Sequence, residues 1–255
     1  MFLYEYDLES IVDAGERAGY DGIELWVETP DFWIDRRVEK IEPFREKILA
    51  LHAPVLDLNP VSVNESIRDL TLKETLFSIS LAKKLGVEVV TVHAGKRSAV
   101  RKPVFADYAS LEKYLRISSN YAKIKGLKIC LENSEAGVNY LCKKPDELEK
   151  FVKKFDLKVA FDINHALKNG FTVAENFLSL VDRIDNVHVS GYNSKGKHIS
   201  AIGFEDISRI LRGLKDLDYD GKVTVELDDL GTGEMSYRGK IGILEGELNY
   251  LKSIL

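Results

Sequence analysis

The sequence predicts a (β/α)₈ barrel, on three observations. Short runs rich in Val, Ile and Leu alternate with longer amphipathic stretches of helix length. The runs begin 26 to 40 residues apart, the repeat of a strand–helix unit. Each run carries a histidine or a carboxylate at or near its carboxyl end: Glu24, His52, His93, Glu132, Asp162, His188 and Glu226. In a barrel those ends converge on one mouth, whereas a doubly wound open sheet, the alternative, would spread them along an edge.

The elements follow in order. Before the first helical stretch, Leu8–Ala18, only Met1–Tyr4 is available for a strand. The first strand is therefore expected to be truncated or missing, or else the true start codon lies upstream. Its neighbours would then pair with Met1–Tyr4, with another subunit, or with nothing. Gly22–Val27 and Ile48–Val55 are the first two full strands. From Asn64 to Leu85, Ile67, Leu70, Phe77, Leu81 and Leu85 recur at helical spacing, with Arg68, Lys73, Glu74 and Lys84 off that stripe. Val87–Gly95, Leu127–Asn133, Leu157–Asn164, Ile184–Tyr192 and Lys222–Asp228 continue the strand series, all with the apolar character of parallel strands covered on both faces. Gly19, Gly86 and Gly126 close helical runs just before strands, and Pro145 stands in the first turn of a helix. The last helix runs from Tyr237 to Leu255. No Pro/Gly/Ser-rich linker interrupts the pattern, so residues 1–255 are expected to form one barrel domain.

Composition narrows the class. The 255 residues are 45% hydrophobic and 30% charged, with 36 Lys+Arg against 41 Asp+Glu and a formal charge of −5. That is the profile of a soluble globular chain rather than a disordered one. No apolar run approaches the ~20 residues of a membrane span, and the amino-terminal residues do not resemble a secretion signal. Two cysteines, Cys130 and Cys142, are too few for a disulfide framework, so a reduced, cytoplasmic protein is expected. A dedicated nucleic-acid binder would carry a basic surplus. Glutamine is absent while Lys and Glu abound, which points to a thermophilic source.

The chemistry gathers at the strand ends. All five histidines are placed for one rim: His52, His93 and His188 end strands, His165 follows Asp162 by three residues, and His198 lies in the loop after the seventh strand. Glu132, Asp162, His188 and Glu226 come from four successive strands. Three carboxylates brought together repel one another unless a cation neutralises them. An oxygen-rich set with one imidazole suits one divalent ion, Mn²⁺, Co²⁺, Mg²⁺ or Zn²⁺. The plainer account pairs these acids with Lys or Arg around the mouth. The run after His93 places Lys96, Arg97, Arg101 and Lys102 near the mouth, and Lys195 and Lys197 precede His198. They read either as solvated charge or as a site for an anion, a sugar phosphate or a nucleic-acid backbone. Glu24 is expected to contact substrate or an arginine. Trp26 is expected to pack, while Trp33 is a second candidate to line a sugar site. Cys130 should fill the barrel interior, and Cys142 reads as a loop thiol. No GxGxxG or P-loop run supports nucleotide chemistry.

The runs LHAPVLDLN, VVTVHAG, ICLEN, FDINHA and VHVSGY, with VELDD near the end, resemble the xylose-isomerase-like TIM-barrel superfamily from Gly19 to about Asp228. That group includes the sugar phosphate isomerases and epimerases, the D-tagatose 3-epimerase relatives and, more distantly, endonuclease IV. In the epimerase branch the resemblance implies one divalent ion held by Glu132, Asp162, His188 and Glu226. The two glutamates would act as acid and base through an enediolate, with His165 on the substrate, a small sugar or sugar phosphate. In the endonuclease IV branch it implies up to three zinc ions acting on abasic-site DNA. There His52 and His93 join Glu132 on one zinc, and His165 and His198 help to hold another. Three departures bear on this: Gly196 stands where the nuclease pattern has an aspartate, APVLDLN lacks the DNA-wedging aromatic residue, and the glycine-rich loop after His198 is reduced to ISAIG. They leave a third reading, a non-catalytic barrel that keeps a ligand or metal site. Related barrels associate, so a homo-oligomer is expected.

Overall fold

The structure, a computed structural model, describes residues 2–193, 195–230 and 234–255. Seven parallel strands form one sheet: β1 (Ile23–Trp26), β2 (Ile48–His52), β3 (Val89–His93), β4 (Lys128–Glu132), β5 (Lys158–Asp162), β6 (Ile184–Val189) and, after the short antiparallel hairpin of β7 (Gly191–Tyr192) and β8 (His198–Ile199), β9 (Lys222–Val225). The order β1-β2-β3-β4-β5-β6-β9 follows the chain, and helices between successive strands cover the outside. This is the expected TIM barrel, lacking its first strand.

All seven strand runs are present, but most are shorter at their carboxyl ends than expected. The ladder partners end at His52, His93, Glu132 and Asp162, and beyond them the backbone turns outward into the mouth loops. The run Ile184–Tyr192 breaks at Ser190, with its last two residues leaving the sheet for the hairpin. Alternation decides what each strand does. On β4, Leu131 and Ile129 face the helices and join the main core, while Cys130 faces inward. Cys130 packs there with Ala50, Val89 and Ala160. These small side chains fill the barrel axis beneath the mouth, as expected for Cys130.

The helix limits follow local chemistry. Leu8–Ala18 is capped by Asp7, whose carboxylate accepts from the Ser10 amide at 2.8 Å. It ends on Gly19, whose φ of 89° places the chain in the left-handed region. Asn64 caps the helix Glu65–Leu85 rather than belonging to it, because its side chain accepts from the Ser66 amide. The last helix ends at Lys252. No helix among the described residues is long and apolar enough to cross a membrane.

Among the described residues no ladder joins β1 to β9, so the barrel has a gap. The residues expected to supply a stub form turns, with Met1 outside the described residues. The Phe2 amide donates to Leu227 O, just past β9, at 3.0 Å, and the Tyr4 ring packs edge-on to Trp26 of β1. A cavity of about 680 Å³ runs along the gap, lined by the edges of β1 and β9 and by Phe2, Tyr20, Leu244 and Leu248, and it reaches His52 and His188. Two clasps tie the last helix, Tyr237–Lys252, to the segments beside it. Tyr20 Oη donates to Leu244 O at 2.9 Å, and the buried Lys240 ammonium binds Phe2 O, Glu5 and Asp229.

Candidate metal centre

The parallel register brings strand ends to one level: His93 pairs with Glu132, and Asp162 with His188. Glu132, the last residue of β4, is buried at the centre. Its Oε2 stands 2.8 Å from His93 Nε2 and 3.4 Å from His52 Nε2, and its Oε1 stands 3.3 Å from His165 Nδ1. Asp162 Oδ2 lies 3.3 Å from His165 Nδ1, while its other oxygen caps the helix Ile163–Lys168 through the His165 amide. Glu226 Oε2 lies 2.9 Å from His188 Nδ1.

Three groups of donor atoms result, each with its members within 4.8 Å of one another: Glu132, Asp162, His188 and Glu226; His52, His93 and Glu132; and Glu135, His165 and His198. The first is the set expected from the strand ends. Its buried Glu132 Oε2, Asp162 Oδ2, Glu226 Oε2 and His188 Nδ1 make no hydrogen bond of acceptable geometry. Buried polar atoms are almost always partnered, so four orphans from four strands aimed at one place fit a cation. The alternative of neutralisation by Lys or Arg does not hold here: among the described residues the ion-pair partners of Glu132, Asp162 and Glu226 are histidines.

The electrostatics agree. Burial pushes the Glu132 carboxyl up, yet His93, His165 and His52 hold it well below the usual carboxylate range. Glu226 is likewise depressed against its burial by His198 and His188. Asp162 moves the other way, raised by burial and by the charges of Glu226 and Glu132. His165 and His188 rise well above the ordinary imidazole value despite burial, because carboxylates surround them. Protons here neutralise what a metal ion would neutralise.

A second layer orients the imidazoles. His188 Nε2 donates to Glu24 at 2.9 Å, which leaves Nδ1 toward Glu226. Glu24 also accepts from Thr91 Oγ1 and Asn186 Nδ2, both at 2.8 Å. It was expected to meet substrate or an arginine; instead it is buried beneath the mouth as a partner of His188. His52 Nδ1 donates to Ala53 O at 2.9 Å and so presents Nε2 to the centre. Asn133 braces β4 to β5: its side chain donates to Asp162 O and accepts from the Asp162 amide, both at 2.8 Å.

The expected basic cluster is partly engaged elsewhere. Arg97 donates to Lys102 O at 2.8 Å and lies 3.8 Å from Asp107, and the exposed Lys96 ammonium sits over the Tyr140 ring. Lys197 donates its backbone amide to Asn193. Trp26 packs edge-on to His52 with ring centroids 5.7 Å apart, and Trp33 is half exposed. Cys142 lies in the loop before the helix Pro145–Phe155, as expected, and its free thiol is buried. Sequence reasoning missed Glu135 and Lys168. The available signals were their offsets, three residues after Glu132 and three after His165.

The sequence profile of the xylose isomerase-like TIM barrel family matches residues 12–253. The chain belongs to that family. An uncharacterized protein of Methanocaldococcus jannaschii is 34% identical over 266 residues, covering 100% of this chain and 97% of its own. A probable endonuclease 4 of Aquifex aeolicus is 23% identical over 242 residues, covering 80% and 83%. Among solved structures, a D-tagatose 3-epimerase-like protein superposes with a TM-score of 0.74 at 25% identity, over 98% of this chain and 96% of that one. D-psicose 3-epimerase from Clostridium cellulolyticum gives 0.76 at 18% identity, over 99% and 95%, and has the same fold.

Proposed function

We propose that the protein is a divalent-metal-dependent isomerase or epimerase of a small sugar or sugar phosphate. The observation that carries this reading is the convergence of four buried atoms from Glu132, Asp162, His188 and Glu226 that make no well-formed hydrogen bond. These four residues would hold the ion. When bound, it supplies polarisation of a substrate carbonyl and stabilisation of the negative charge that develops there. Glu132 and Glu226 act as the acid–base pair: one, as its carboxylate, would remove the proton beside the carbonyl, and the other, entering the step as the carboxylic acid, would deliver a proton to the carbon and be left as the carboxylate. Asp162, with its second oxygen fixed on the His165 amide, holds its position while protons move. His165 lies between the metal group and Glu135, placed to contact a substrate hydroxyl. The structural likeness to a D-tagatose 3-epimerase-like protein supports the same class.

The test is exchange of a carbon-bound hydrogen. Protein loaded in turn with Mn²⁺, Co²⁺, Mg²⁺ or Zn²⁺ is incubated in D₂O with a panel of ketoses and their phosphates, and deuterium uptake is followed by NMR. Metal-dependent uptake beside the carbonyl is expected, with its loss in Glu132→Gln and Glu226→Gln. No uptake on any member of the panel, or full uptake in Glu132→Gln, overturns the assignment.

One observation favours a second reading, an endonuclease IV-like phosphodiesterase. His52 and His93 meet Nε2 to Nε2 at 3.1 Å and share Glu132, a second ligand group beside the first. Metal-dependent nicking of abasic-site DNA would establish it.

A further inference from the structure

We propose that the third donor group, Glu135, His165 and His198, is closed to metal by a cation of the chain's own, the ammonium of Lys168. The proposal rests on the reading of the mouth as a metal centre and concerns how many ions it takes.

By donor chemistry alone this group is a two-histidine, one-carboxylate set fit for a transition metal. His165 Nδ1 donates to Asn133 O at 3.0 Å, and His198 Nδ1 lies 2.9 Å from Ser190 Oγ. Each imidazole thus keeps Nε2 available, in the way that outer hydrogen bonds orient metal-binding histidines. Lys168 changes the outcome. Its side chain is 10% exposed, and its Nζ stands 3.3 Å from each oxygen of Glu135. The ammonium also donates to Gly196 O at 2.7 Å.

Both oxygens of the group's one carboxylate therefore already face a positive charge. A metal ion on either oxygen, at a bond of about 2.1 Å, would lie a few ångströms from the ammonium, with little water between to screen the repulsion. Gly196 completes the arrangement. It contributes a carbonyl to Lys168 and no carboxylate to the group, and a Cβ there would reach Cε and Nζ of Lys168 at 3.7 Å. The contrast with the inner group is direct. There the carboxylates have histidines as ion-pair partners and leave orphaned atoms, whereas neither Glu135 oxygen is orphaned. The cations of this mouth are thus of two kinds: an exogenous ion at the inner group, and a covalently attached lysine at the outer one.

The experiment is a Co²⁺ titration of the full chain, followed by visible absorption and by elemental analysis after gel filtration. It compares wild type, Lys168→Met, Glu135→Gln and the double variant. Wild type and Glu135→Gln should bind the same number of ions. Lys168→Met should bind one more, and the double variant should return to the wild-type number. Loss of an ion in Glu135→Gln, or no gain in folded Lys168→Met, overturns the proposal. Should Lys168→Met fail to fold, Lys168→Gln takes its place, and the wild-type against Glu135→Gln comparison still decides. The two readings fail differently. A wild type that takes up no Co²⁺ refutes the metal centre, whereas the lysine proposal fails on the difference between wild type and its variants.

Discussion

Glu24 on β1 and His188 on β6 are 164 residues apart in sequence, yet the imidazole Nε2 stands 2.9 Å from the carboxylate across the barrel interior. The contact fixes which nitrogen of His188 faces Glu226. Glu24→Gln removes the charge that favours this arrangement while keeping the size of the side chain. The expected result is a folded protein whose divalent-ion affinity is lower by about 10–100-fold, the usual cost of losing an outer partner of a ligating histidine. Competition with a chromophoric chelator measures it. Unchanged affinity would show that Glu24 does not orient His188.

The gap between β1 and β9 should be visible in amide exchange. Strands β4 and β5 are laddered on both sides, whereas β1 and β9 each have one laddered edge. Peptides covering Ile23–Trp26 and Lys222–Val225 are therefore expected to exchange faster than those covering Lys128–Glu132 and Lys158–Asp162. Mass-spectrometric exchange at neutral pH reads this directly, and uniform protection across all four would contradict an open edge.

The cap at Asp7 has a pH signature. The Ser10 amide holds the Asp7 carboxyl below its usual range. A depressed folded-state pKa gives stability that is present above the unfolded value and lost as the pH falls through the folded one. Asp7→Ala should cost about 1 kcal/mol at pH 7. The difference from wild type should shrink as the pH drops below about 4. Urea unfolding at pH 7 and pH 3 provides the comparison; a difference independent of pH would mean that the carboxylate is not the cap.

Both thiols should be silent in the folded protein. Cys130 and Cys142 are buried, and burial pushes each thiol up, so little thiolate forms at neutral pH. A disulfide-exchange reagent should react with neither until denaturant is added, and then with both. Rapid labelling of native protein would show that the interior opens.

Much of this was legible in the chain because barrel strands are covered on both faces and so read as apolar runs ending in polar residues. That pattern located Glu132, Asp162, His188 and Glu226, along with His52 and His93, without any knowledge of contacts. The partner of Glu24 was not legible, since a strand-end carboxylate looks the same whether it faces solvent, substrate or a histidine from the far wall. Glu135 and Lys168 escaped for another reason. They sit past the strand ends, Glu135 after β4 and Lys168 at the end of the helix Ile163–Lys168, and only the folded chain brings them to within 3.3 Å of each other. The basic run at Lys96 and Arg97 read as one electrostatic feature, but Asp107 and Tyr140 come from other segments to occupy it.

The broken hoop has a mechanical consequence. The residues assigned to the inner ion, from Glu132 to Glu226, lie on β4, β5 and β6 and just past β9, on one continuous stretch of ladder. Glu24 and Trp26 lie across the discontinuity, at the other end of the sheet. A slight widening or narrowing there would shift the brace behind His188 and the wall beside His52 without straining any bond between the ligand-bearing strands. The brace behind His188 is thereby supplied from the far side of the gap, by a side-chain contact rather than by a ladder.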